Sequence, residues 1–339
     1  MSGELRVGLI GAGWVTQYHL HGWQKLAGKA AIVAIADPSA GNVAMRADAF
    51  GVARRFASAQ AMLQDCELDA VDIAAPRSVH AELVRLAADH GIAVLCQKPL
   101  APTLAEAEAL ARDVAGRIRL MVHENWRYRD YYRDAAAWIR EGRIGAVTAA
   151  RLTLVTSGTI PDADGKLPAI VRQPFMRGET RMLVAEVLIH HLDTLRMLLG
   201  PLDVTAATLT QTCAEIAGED GAVIQMQSRD GAGVSLFATF AAHGAPPAQS
   251  DRLEIFGRNG AIRLDGNELQ LTAAQSETRS YDLAASYQGS YDATIAHFVD
   301  ALSSGVPFET SPEDNLQTLR LVEDCYRMSG REAARGAAR

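Results

Sequence analysis

Short apolar runs alternate with amphipathic stretches over the first 122 residues of the chain. The runs end at Gly, Pro, Asp or Ser, as buried strands do, and the stretches between them have helical spacing. Strands that alternate with helices indicate a parallel sheet with helices on both faces. We therefore predict an α/β domain with a doubly wound parallel sheet over residues 1–122. Its strands are expected at residues 7–10, 30–36, 70–74, 93–96 and 119–122.

The pattern changes in the second half. Helices are expected over about residues 131–141 and 182–199, with a long strand over residues 146–157 between them. From residue 203 onward, β-rich runs are separated by short Gly, Asn or Asp turns, which favours an antiparallel sheet with one open face. Residues 123–339 are therefore predicted as an α+β domain with a large, mostly antiparallel sheet. Two helices follow, and the last is a candidate for packing back on the first domain.

The composition restricts the class of protein and its partners. The chain has 339 residues, of which 48% are apolar and 22% charged, as in soluble globular proteins. A net charge of −7 without Lys or Arg runs argues against binding to nucleic acid or an anionic membrane.

We find no signal peptide or membrane span, and the four cysteines lie far apart, so we expect a cytoplasmic protein with reduced thiols. Because large open sheet faces often mediate self-association, we also expect a homodimer or homotetramer.

A glycine-rich turn follows the first predicted strand. Gly11 permits a tight turn and Gly13 a close approach to a ligand, while the next helix directs its free N–H groups at the same point. Such a turn can bind the pyrophosphate of a dinucleotide, or it can be only a strand-to-helix connection. Thr16 occupies the place of the usual third glycine, which governs helix packing. Asp37, 24 residues after Gly13, could bind ribose hydroxyls and would repel a 2′-phosphate, which favours NAD over NADP.

Lys98 is the first candidate for catalysis. It follows the strand at residues 93–96 and precedes a proline, with Cys96 and Leu100 as apolar neighbours. A lysine partly withdrawn from water at a strand end can donate a proton to a substrate oxygen or accept one. The alternative is an ordinary solvated lysine in a surface turn.

The helix over residues 182–199 combines an apolar stripe with a polar one. Glu186, His190 and Asp193 follow one another at intervals of four and three, so they share a face. His190 could act as acid or base near neutral pH, with Glu186 orienting it or binding substrate hydroxyls. The alternatives are a polar face satisfied by hydrogen bonds and a metal site that includes His191. We predict no metal, since His191 points to another face and neither HExxH nor a cysteine partner is present.

Polar residues also follow the last predicted strand of the first half, in the sequence VHENWRY. Asn125 and Arg127 could bind a hydroxylated or carboxylated ligand through fixed donors. Arg127 could equally hold the two domains together, and the sequence favours neither role.

Taken in order, these motifs resemble those of one protein family. The motifs are GAGWVT, Asp37, AAPRSVH, QKP, ENWR, EVLIHHLD and the closing pattern GVPFETSPEDNLQTLRLVEDCYR. Over nearly its whole length the chain is similar to the glucose-fructose oxidoreductase, inositol dehydrogenase and rhizopine catabolism family, written Gfo/Idh/MocA. The resemblance implies an N-terminal Rossmann domain, a C-terminal α/β domain with an open sheet, bound NAD(H) or NADP(H), and hydride transfer at a sugar or polyol carbon.

The resemblance also implies roles for individual residues. Lys98 matches the family's catalytic lysine and His190 its acid/base histidine, while Glu186 matches a residue that is normally aspartate. The residues implied in substrate binding are Asn125, Arg127, Glu186 and His190. Those implied in cofactor binding are Gly11, Gly13, Trp14, Val15, Asp37, Ala75, Pro76, His80, Gln97 and Lys98.

Three positions depart from the family pattern. Gln97 replaces the usual glutamate, so Lys98 lacks an adjacent carboxylate. Glu186 is one methylene longer than aspartate, and Leu188 stands where glycine is common. These changes suggest a subgroup with its own substrate and leave the reaction class unchanged.

The sequence as a whole predicts an NAD-dependent dehydrogenase that oxidises a hydroxyl of a sugar, polyol or sugar acid, with His190 and Lys98 as acid and base. A branched or five-carbon aldose is the expected substrate class. Two other interpretations stay open. One is an enzyme that uses NAD transiently for elimination or glycoside cleavage, and the other is a non-catalytic dinucleotide- or sugar-binding sensor.

Overall fold

The computed structural model describes residues 3–248 and 251–331. The chain divides into two compact units, each assembled from separate parts of the sequence. The first unit takes in the residues up to Arg129 together with Ala284–Leu319. The second takes in Asp130–Leu283 and the residues from Arg320 onward.

The first unit is built on a parallel sheet. Its strands are β1 (Leu5–Ile10), β2 (Ala30–Ala36), β3 (Arg54–Phe56), β4 (Ala70–Ile73), β5 (Ala93–Gln97) and β6 (Leu120–His123). The helices along this part of the chain are α1 (Thr16–Gln24), α2 (Ala40–Phe50), α3 (Ala59–Asp65), α4 (His80–Asp89) and α5 (Leu104–Val114). The strands lie in the order β3-β2-β1-β4-β5-β6, which confirms the predicted doubly wound sheet.

The sequence analysis did not predict β3. Its residues, Arg54, Arg55 and Phe56, are exposed or half-buried at the edge of the sheet. Charged residues on an edge strand discourage pairing with other chains. Because the strand has no apolar run, the hydrophobic pattern gave no sign of it.

The second unit contains a larger, mixed sheet. Its strands are β7 (Val147–Val155), β8 (Leu202–Thr210), β9 (Gly221–Ser228), β10 (Gly233–Thr239), β11 (Asp251–Gly257), β12 (Gly260–Asp265), β13 (Glu268–Thr272) and β14 (Glu277–Ser280). Its helices are α6 (Asp130–Arg140), α7 (Pro168–Arg172) and α8 (Ile189–Leu199), with a π-helical turn at Leu183–Leu188 directly before α8.

The strands of the second sheet lie in the order β14-β13-β12-β11-β7-β10-β9-β8. Among the described strands of this second sheet, only the pair β7 and β10 is parallel, so the predicted, mostly antiparallel sheet is confirmed. The polar edge strand β14 was not predicted, because its sequence ETRS has no apolar residue.

One face of the second sheet is open, as the alternating pattern predicted. Phe237 of β10 and Val223 of β9 are neighbours in register and are 42% and 44% exposed. A shallow depression of about 460 Å³ beside Phe237 is lined largely by charged side chains, among them Arg151, Arg252 and Arg263.

Two helices complete the described chain, α9 (Leu283–Ser304) and α10 (Pro312–Met328). α9 buries Ile295 and Phe298 in one core cluster with Val7 of β1 and Trp23 of α1. Burying each of these large side chains contributes about 1.5–3 kcal/mol. This packing explains why α9 groups with the first unit. Neither α9 nor any other helix in the described part of the chain is long and apolar enough to cross a membrane.

The segment before α10 pairs with the end of β6. The backbone N–H of Val122 donates to the carbonyl oxygen of Thr310 at 2.9 Å, and the Thr310 hydroxyl donates to the Val122 carbonyl oxygen at 2.6 Å. The sequence predicted a single boundary at residue 122, whereas these bonds and the α9 core join residues 284–319 to the first unit.

Candidate active site

The carboxyl ends of the parallel strands lie at one edge of the first sheet. The register aligns Ile10 of β1 with Ile73 of β4, and Ile73 with Cys96 of β5. It also aligns Gln97 with His123 at the end of β6. The residues that follow these strands therefore meet at one edge, which is where such sheets bind ligands. They are Gly11, Asp37, Pro76, Lys98 and Asn125.

The turn after β1 contains two glycines, one packed against the protein backbone and one with open space beside it. Gly11 has a φ of +104°, and a Cβ there would lie 2.4 Å from the carbonyl oxygen of Ala74, so only glycine fits. At Gly13 a Cβ would meet no protein atom within 4 Å. Thr16 begins α1, and its hydroxyl donates to the Gly13 carbonyl oxygen at 2.7 Å. A fixed turn with an open backbone at the start of a helix fits the pyrophosphate of a dinucleotide.

Asp37 holds the same turn from the end of β2. Its Oδ2 accepts the backbone N–H of Ala12 at 2.8 Å, and its Oδ1 accepts that of Ser39 at 2.8 Å. The carboxylate therefore lies beside the glycine turn, where dinucleotide enzymes bind ribose hydroxyls.

Arg46 of α2 also binds this turn, and the sequence analysis missed it. Its guanidinium donates to the carbonyl oxygens of Gly13 and Trp14 at 3.1 and 3.3 Å. Burial lowers the pKa of Arg46 from its usual value. No sequence signal marked this residue, because an isolated arginine in a helix is usually solvated.

Trp14 and Val15 lie where the turn enters α1. Trp14 is 47% exposed, and its ring packs edge-on against Tyr18 with centroids 5.2 Å apart. Val15 is half-buried and packs against the core cluster on that side of the sheet. Both predicted cofactor-binding residues therefore belong to the turn itself.

The turn after β4 contains three more predicted cofactor-binding residues. Ala75 is half-buried and Pro76 is exposed. His80 is buried, and its two ring nitrogens lie 2.8 Å from the carbonyl oxygens of Ala75 and Pro99. His80 thus connects the turn after β4 to the turn after β5.

Lys98 leaves the sheet edge directly after β5 and is half-buried. Its backbone N–H donates to Oε1 of the preceding Gln97 at 2.8 Å, and its peptide bond to Pro99 is cis. The neighbours Cys96 and Leu100 are fully buried. The backbone of Lys98 is therefore held by the side chain of the residue before it.

Asn125 and Arg127 follow β6 and are bound within the first unit. The Asn125 amide donates to the Ser290 hydroxyl at 2.8 Å. Arg127, whose side chain is 5% exposed, donates to Asp314 at 2.7 Å and lies 3.6 Å from Glu309. These ion pairs hold the segment after β6 to residues around the start of α10.

In the second unit, the helix predicted around His190 begins with a π-helical turn. The wider turn changes the spacing from which a shared polar face was predicted. Glu186 and His190 are half-buried, but Asp193 is fully buried and lies 3.6 Å from Arg196. Asp193 is therefore more deeply buried than Glu186 and His190. Single π turns are frequent at functional sites.

Glu219 holds the start of the π turn. Its Oε1 accepts the backbone N–H of Val184 at 3.0 Å and the hydroxyl of Tyr326 at 2.6 Å. Burial, together with the nearby Glu219 carboxylate, raises the pKa of Tyr326. The phenol therefore stays protonated and remains a donor to the carboxylate.

His191 belongs to the interior of the second unit. Its Nε2 lies 2.9 Å from Asp251, and its Nδ1 lies 3.2 Å from the carbonyl oxygen of Val187 in the π turn. Tyr132 of α6 donates to the same Asp251 at 2.7 Å. Within residues 3–248 and 251–331, no group of three His, Cys, Asp or Glu residues is arranged to hold a metal ion.

Two family models match the chain. Residues 5–123 match an oxidoreductase family model described as an NAD-binding Rossmann fold, and residues 137–332 match the C-terminal alpha/beta domain of the same family. The chain belongs to the Gfo/Idh/MocA family. It is an oxidoreductase with NAD as its cofactor, and the glycine turn with Asp37 is the part of the structure that fits this cofactor.

Characterised relatives of this Gfo/Idh/MocA protein include sugar and polyol dehydrogenases. It is 33% identical to a D-apiose dehydrogenase from Paraburkholderia graminis, over 96% of this chain and 87% of the relative. It is 32% identical to a D-apiose dehydrogenase from Rhizobium rhizogenes, over 95% and 94%. An inositol 2-dehydrogenase from Rhizobium meliloti is 27% identical over 95% and 96%.

Solved structures share the fold of the Gfo/Idh/MocA protein. An oxidoreductase from Agrobacterium radiobacter, in complex with NAD+, L-tartaric acid and magnesium, has a TM-score of 0.89 and 30% identity over 96% of both chains. A levoglucosan dehydrogenase in complex with NADH and levoglucosan has a TM-score of 0.83 at 22% identity, covering 96% of this chain and 97% of the other. At 22% identity, the comparison with the levoglucosan dehydrogenase shows a shared fold only.

Substituting the two glycines should separate folding from cofactor binding. Gly11→Ala forces a Cβ against the Ala74 carbonyl in a positive-φ conformation, and it should destabilise the protein by about 1–3 kcal/mol or more. Gly13→Ala should leave the melting temperature unchanged but weaken NADH binding, because its Cβ would occupy only the space open to the ligand. Thermal unfolding and a fluorescence titration with NADH measure the two effects. A fully stable Gly11→Ala protein, or unchanged NADH binding by Gly13→Ala, would contradict this account.

Replacing Asp37 should change the choice of nicotinamide cofactor. Asp37→Ser removes the carboxylate that would bind ribose hydroxyls and repel a 2′-phosphate. The preference for NADH over NADPH, measured as the ratio of dissociation constants, should fall by about 10-fold or more. Asp48→Ser is the matched control, since Asp48 pairs with Arg55 on the surface. Equal ratios for wild type and Asp37→Ser would rule out this role.

Proposed function

We propose that the protein is an NAD-dependent dehydrogenase that oxidises a hydroxyl group of a sugar, polyol or sugar acid. The names of the relatives, D-apiose dehydrogenase and inositol 2-dehydrogenase, support this substrate class. The L-tartaric acid in the complex of the Agrobacterium radiobacter oxidoreductase supports the inclusion of polyhydroxy acids. A branched or five-carbon aldose is the expected substrate, with D-apiose as the first compound to test.

The position of Lys98 carries this proposal. The lysine leaves β5 at the same sheet edge as the glycine turn, within the domain that matches the NAD-binding model. When bound, NAD supplies the hydride acceptor. Lys98 would hydrogen-bond to the reacting hydroxyl and stabilise the oxygen as its proton leaves.

His190 is proposed as the base that takes the hydroxyl proton. It is half-buried at the start of α8, and an imidazole can gain or lose a proton near neutral pH. Glu186, half-buried in the π turn four residues earlier, would orient His190 or accept a hydrogen bond from a second substrate hydroxyl.

Asn125 and Arg127 are proposed to orient the substrate. Asn125 lies at the sheet edge, where its amide is fixed by Ser290. Arg127 holds the same segment through Asp314, so its loss would displace Asn125 as well. The loop over residues 156–181 is the region of the second unit that we expect to select among sugars.

Self-association through the open sheet is proposed as well. Phe237 and Val223 form an exposed apolar pair on that face, on the neighbouring strands β10 and β9. Burying such a pair against a second copy of the chain would remove apolar surface from water on both copies.

The catalytic proposal is tested by Lys98→Met and His190→Ala. NADH formation with D-apiose, other aldoses, inositols and sugar acids should be measurable for wild type and reduced by about 10²–10⁴-fold in each variant. Lys29→Met and His90→Ala are matched controls, since Lys29 pairs only at the surface with Asp300 and His90 is exposed at the end of α4. Wild-type inactivity across the panel, or full activity of Lys98→Met, would argue against the assignment.

The oligomer is tested by Phe237→Glu. A charge at the apolar pair should move the sedimentation profile from dimer or tetramer toward monomer. Met45→Glu is the control, because Met45 is similarly exposed but lies on α2. A wild-type monomer, or a Phe237→Glu protein that sediments like wild type, would exclude this surface.

A further inference from the structure

A chain of buried hydrogen bonds runs from the interior of the first sheet to the peptide of Lys98. Oδ2 of Asp72, on β4, lies 2.8 Å from Nδ1 of His19 and accepts the indole N–H of Trp23 at 2.7 Å. Nε2 of His19 lies 3.1 Å from the amide nitrogen of Gln97. The amide oxygen of Gln97 accepts the backbone N–H of Lys98 at 2.8 Å. Asp72 and His19 are fully buried, and Gln97 is nearly so.

The direction of every bond in this chain follows from one group that can only donate, the backbone N–H of Lys98. It requires the oxygen of the Gln97 side chain as acceptor, so the amide NH₂ of Gln97 must face His19. The NH₂ group is a donor, and Nε2 of His19 must therefore be the unprotonated nitrogen. The ring proton is then on Nδ1 and is donated to Asp72. The hydrogen bonds thus select the neutral Nδ1–H tautomer of His19.

Aromatic rings enclose His19 and exclude water from it. The ring stacks on His123 with centroids 4.3 Å apart and meets the edge of Tyr291 at 5.3 Å. Burial raises the pKa of Tyr291 well above its usual value, so its phenol is neutral. With solvent excluded, a ring nitrogen that loses its partner cannot bond to water instead, which makes each bond in the chain costly to lose.

A carboxylate at position 97 would impose a different protonation state. A carboxylate has only acceptors, so one oxygen could still accept the Lys98 N–H, while the other would require a proton on Nε2 of His19. With Asp72 still accepting from Nδ1, His19 would then be an imidazolium between two carboxylates. An amide and a carboxylate at position 97 can therefore accept the same Lys98 N–H, but the amide requires a neutral His19 and the carboxylate a protonated one.

We propose that Gln97 is a positioning residue for Lys98, and that its amide, together with Asp72 on the other side of the ring, keeps His19 as the neutral Nδ1–H tautomer. The positioning role rests on the proposed function of Lys98. The tautomer does not, since it follows from the hydrogen bonds alone. Trp23 contributes by fixing the carboxylate of Asp72, whose second oxygen is buried and has no hydrogen-bond partner among the described residues.

The tautomer is tested by NMR of protein with ¹⁵N-labelled histidine rings, in which the shifts of the two ring nitrogens report protonation. The His19 signals are assigned by their loss in His19→Asn. We expect the neutral Nδ1–H form in wild type and in Lys98→Met, and the imidazolium in Gln97→Glu. An imidazolium or Nε2–H form in wild type, or an unchanged His19 in Gln97→Glu, would overturn the proposal.

The positioning role is tested by comparing Gln97→Leu with Gln97→Glu. Leucine leaves the Lys98 N–H without its acceptor, so kcat should fall by up to about 10²-fold. Glutamate restores an acceptor and should recover most of kcat. An unchanged kcat in Gln97→Leu, or equal losses in both variants, would overturn the positioning role. Normal turnover by Lys98→Met would overturn the catalytic proposal and with it the positioning role, but not the tautomer, because the ring-nitrogen shifts are measured without activity.

Discussion

The arrangement of the first unit depends on the close passage of Gly11 beside the carbonyl oxygen of Ala74. β1 and β4 lie side by side in register, so the chain leaving β1 must cross the end of β4 at a distance that no side chain allows. That crossing directs the chain into α1 and leaves open space beside the half-buried Gly13 at the start of the helix. Asp37 and Arg46 then bind the turn from β2 and α2. The shape of the glycine turn is thus a consequence of the packing of β1 against β4.

Both candidate catalytic residues lie next to buried polar contacts that fix the backbone. Lys98 follows Gln97, whose amide is bonded on one side to the lysine peptide and on the other to His19. His190 follows a π turn that is held by Glu219 at its start and by His191 near its end. In each unit the candidate side chain is half-buried, and the side chains that hold its backbone are buried. Positional precision therefore comes from polar groups that cannot exchange with water.

The sequence predicted those parts of the fold that depend on local pattern. Strand–helix alternation indicates a parallel sheet, and the ends of its strands indicate the edge where ligands bind. Gly11 and Lys98 could therefore be named as candidate site residues from the sequence alone. Short polar strands such as β3 and the π turn carry no periodic signal. Asp72 lies inside an apolar run and was not singled out from the sequence, because its partner His19 is 53 positions away and is recognised only in three dimensions. The contact of Arg46 is likewise recognised only in three dimensions, because its guanidinium donates to Gly13, 33 positions earlier in the sequence.

The contribution of α9 to the first unit also bears on how the protein is made. The face of the first sheet around Val7 and Trp23 is covered by Ile295 and Phe298, which the ribosome adds only after residues 130–283. Those 154 residues (283 − 129) take about 8–30 s to synthesise at ordinary elongation rates. During that interval the nascent chain carries an uncovered apolar sheet face. The order of segments therefore leaves the core of the first unit incomplete until the residues of α9 have been synthesised.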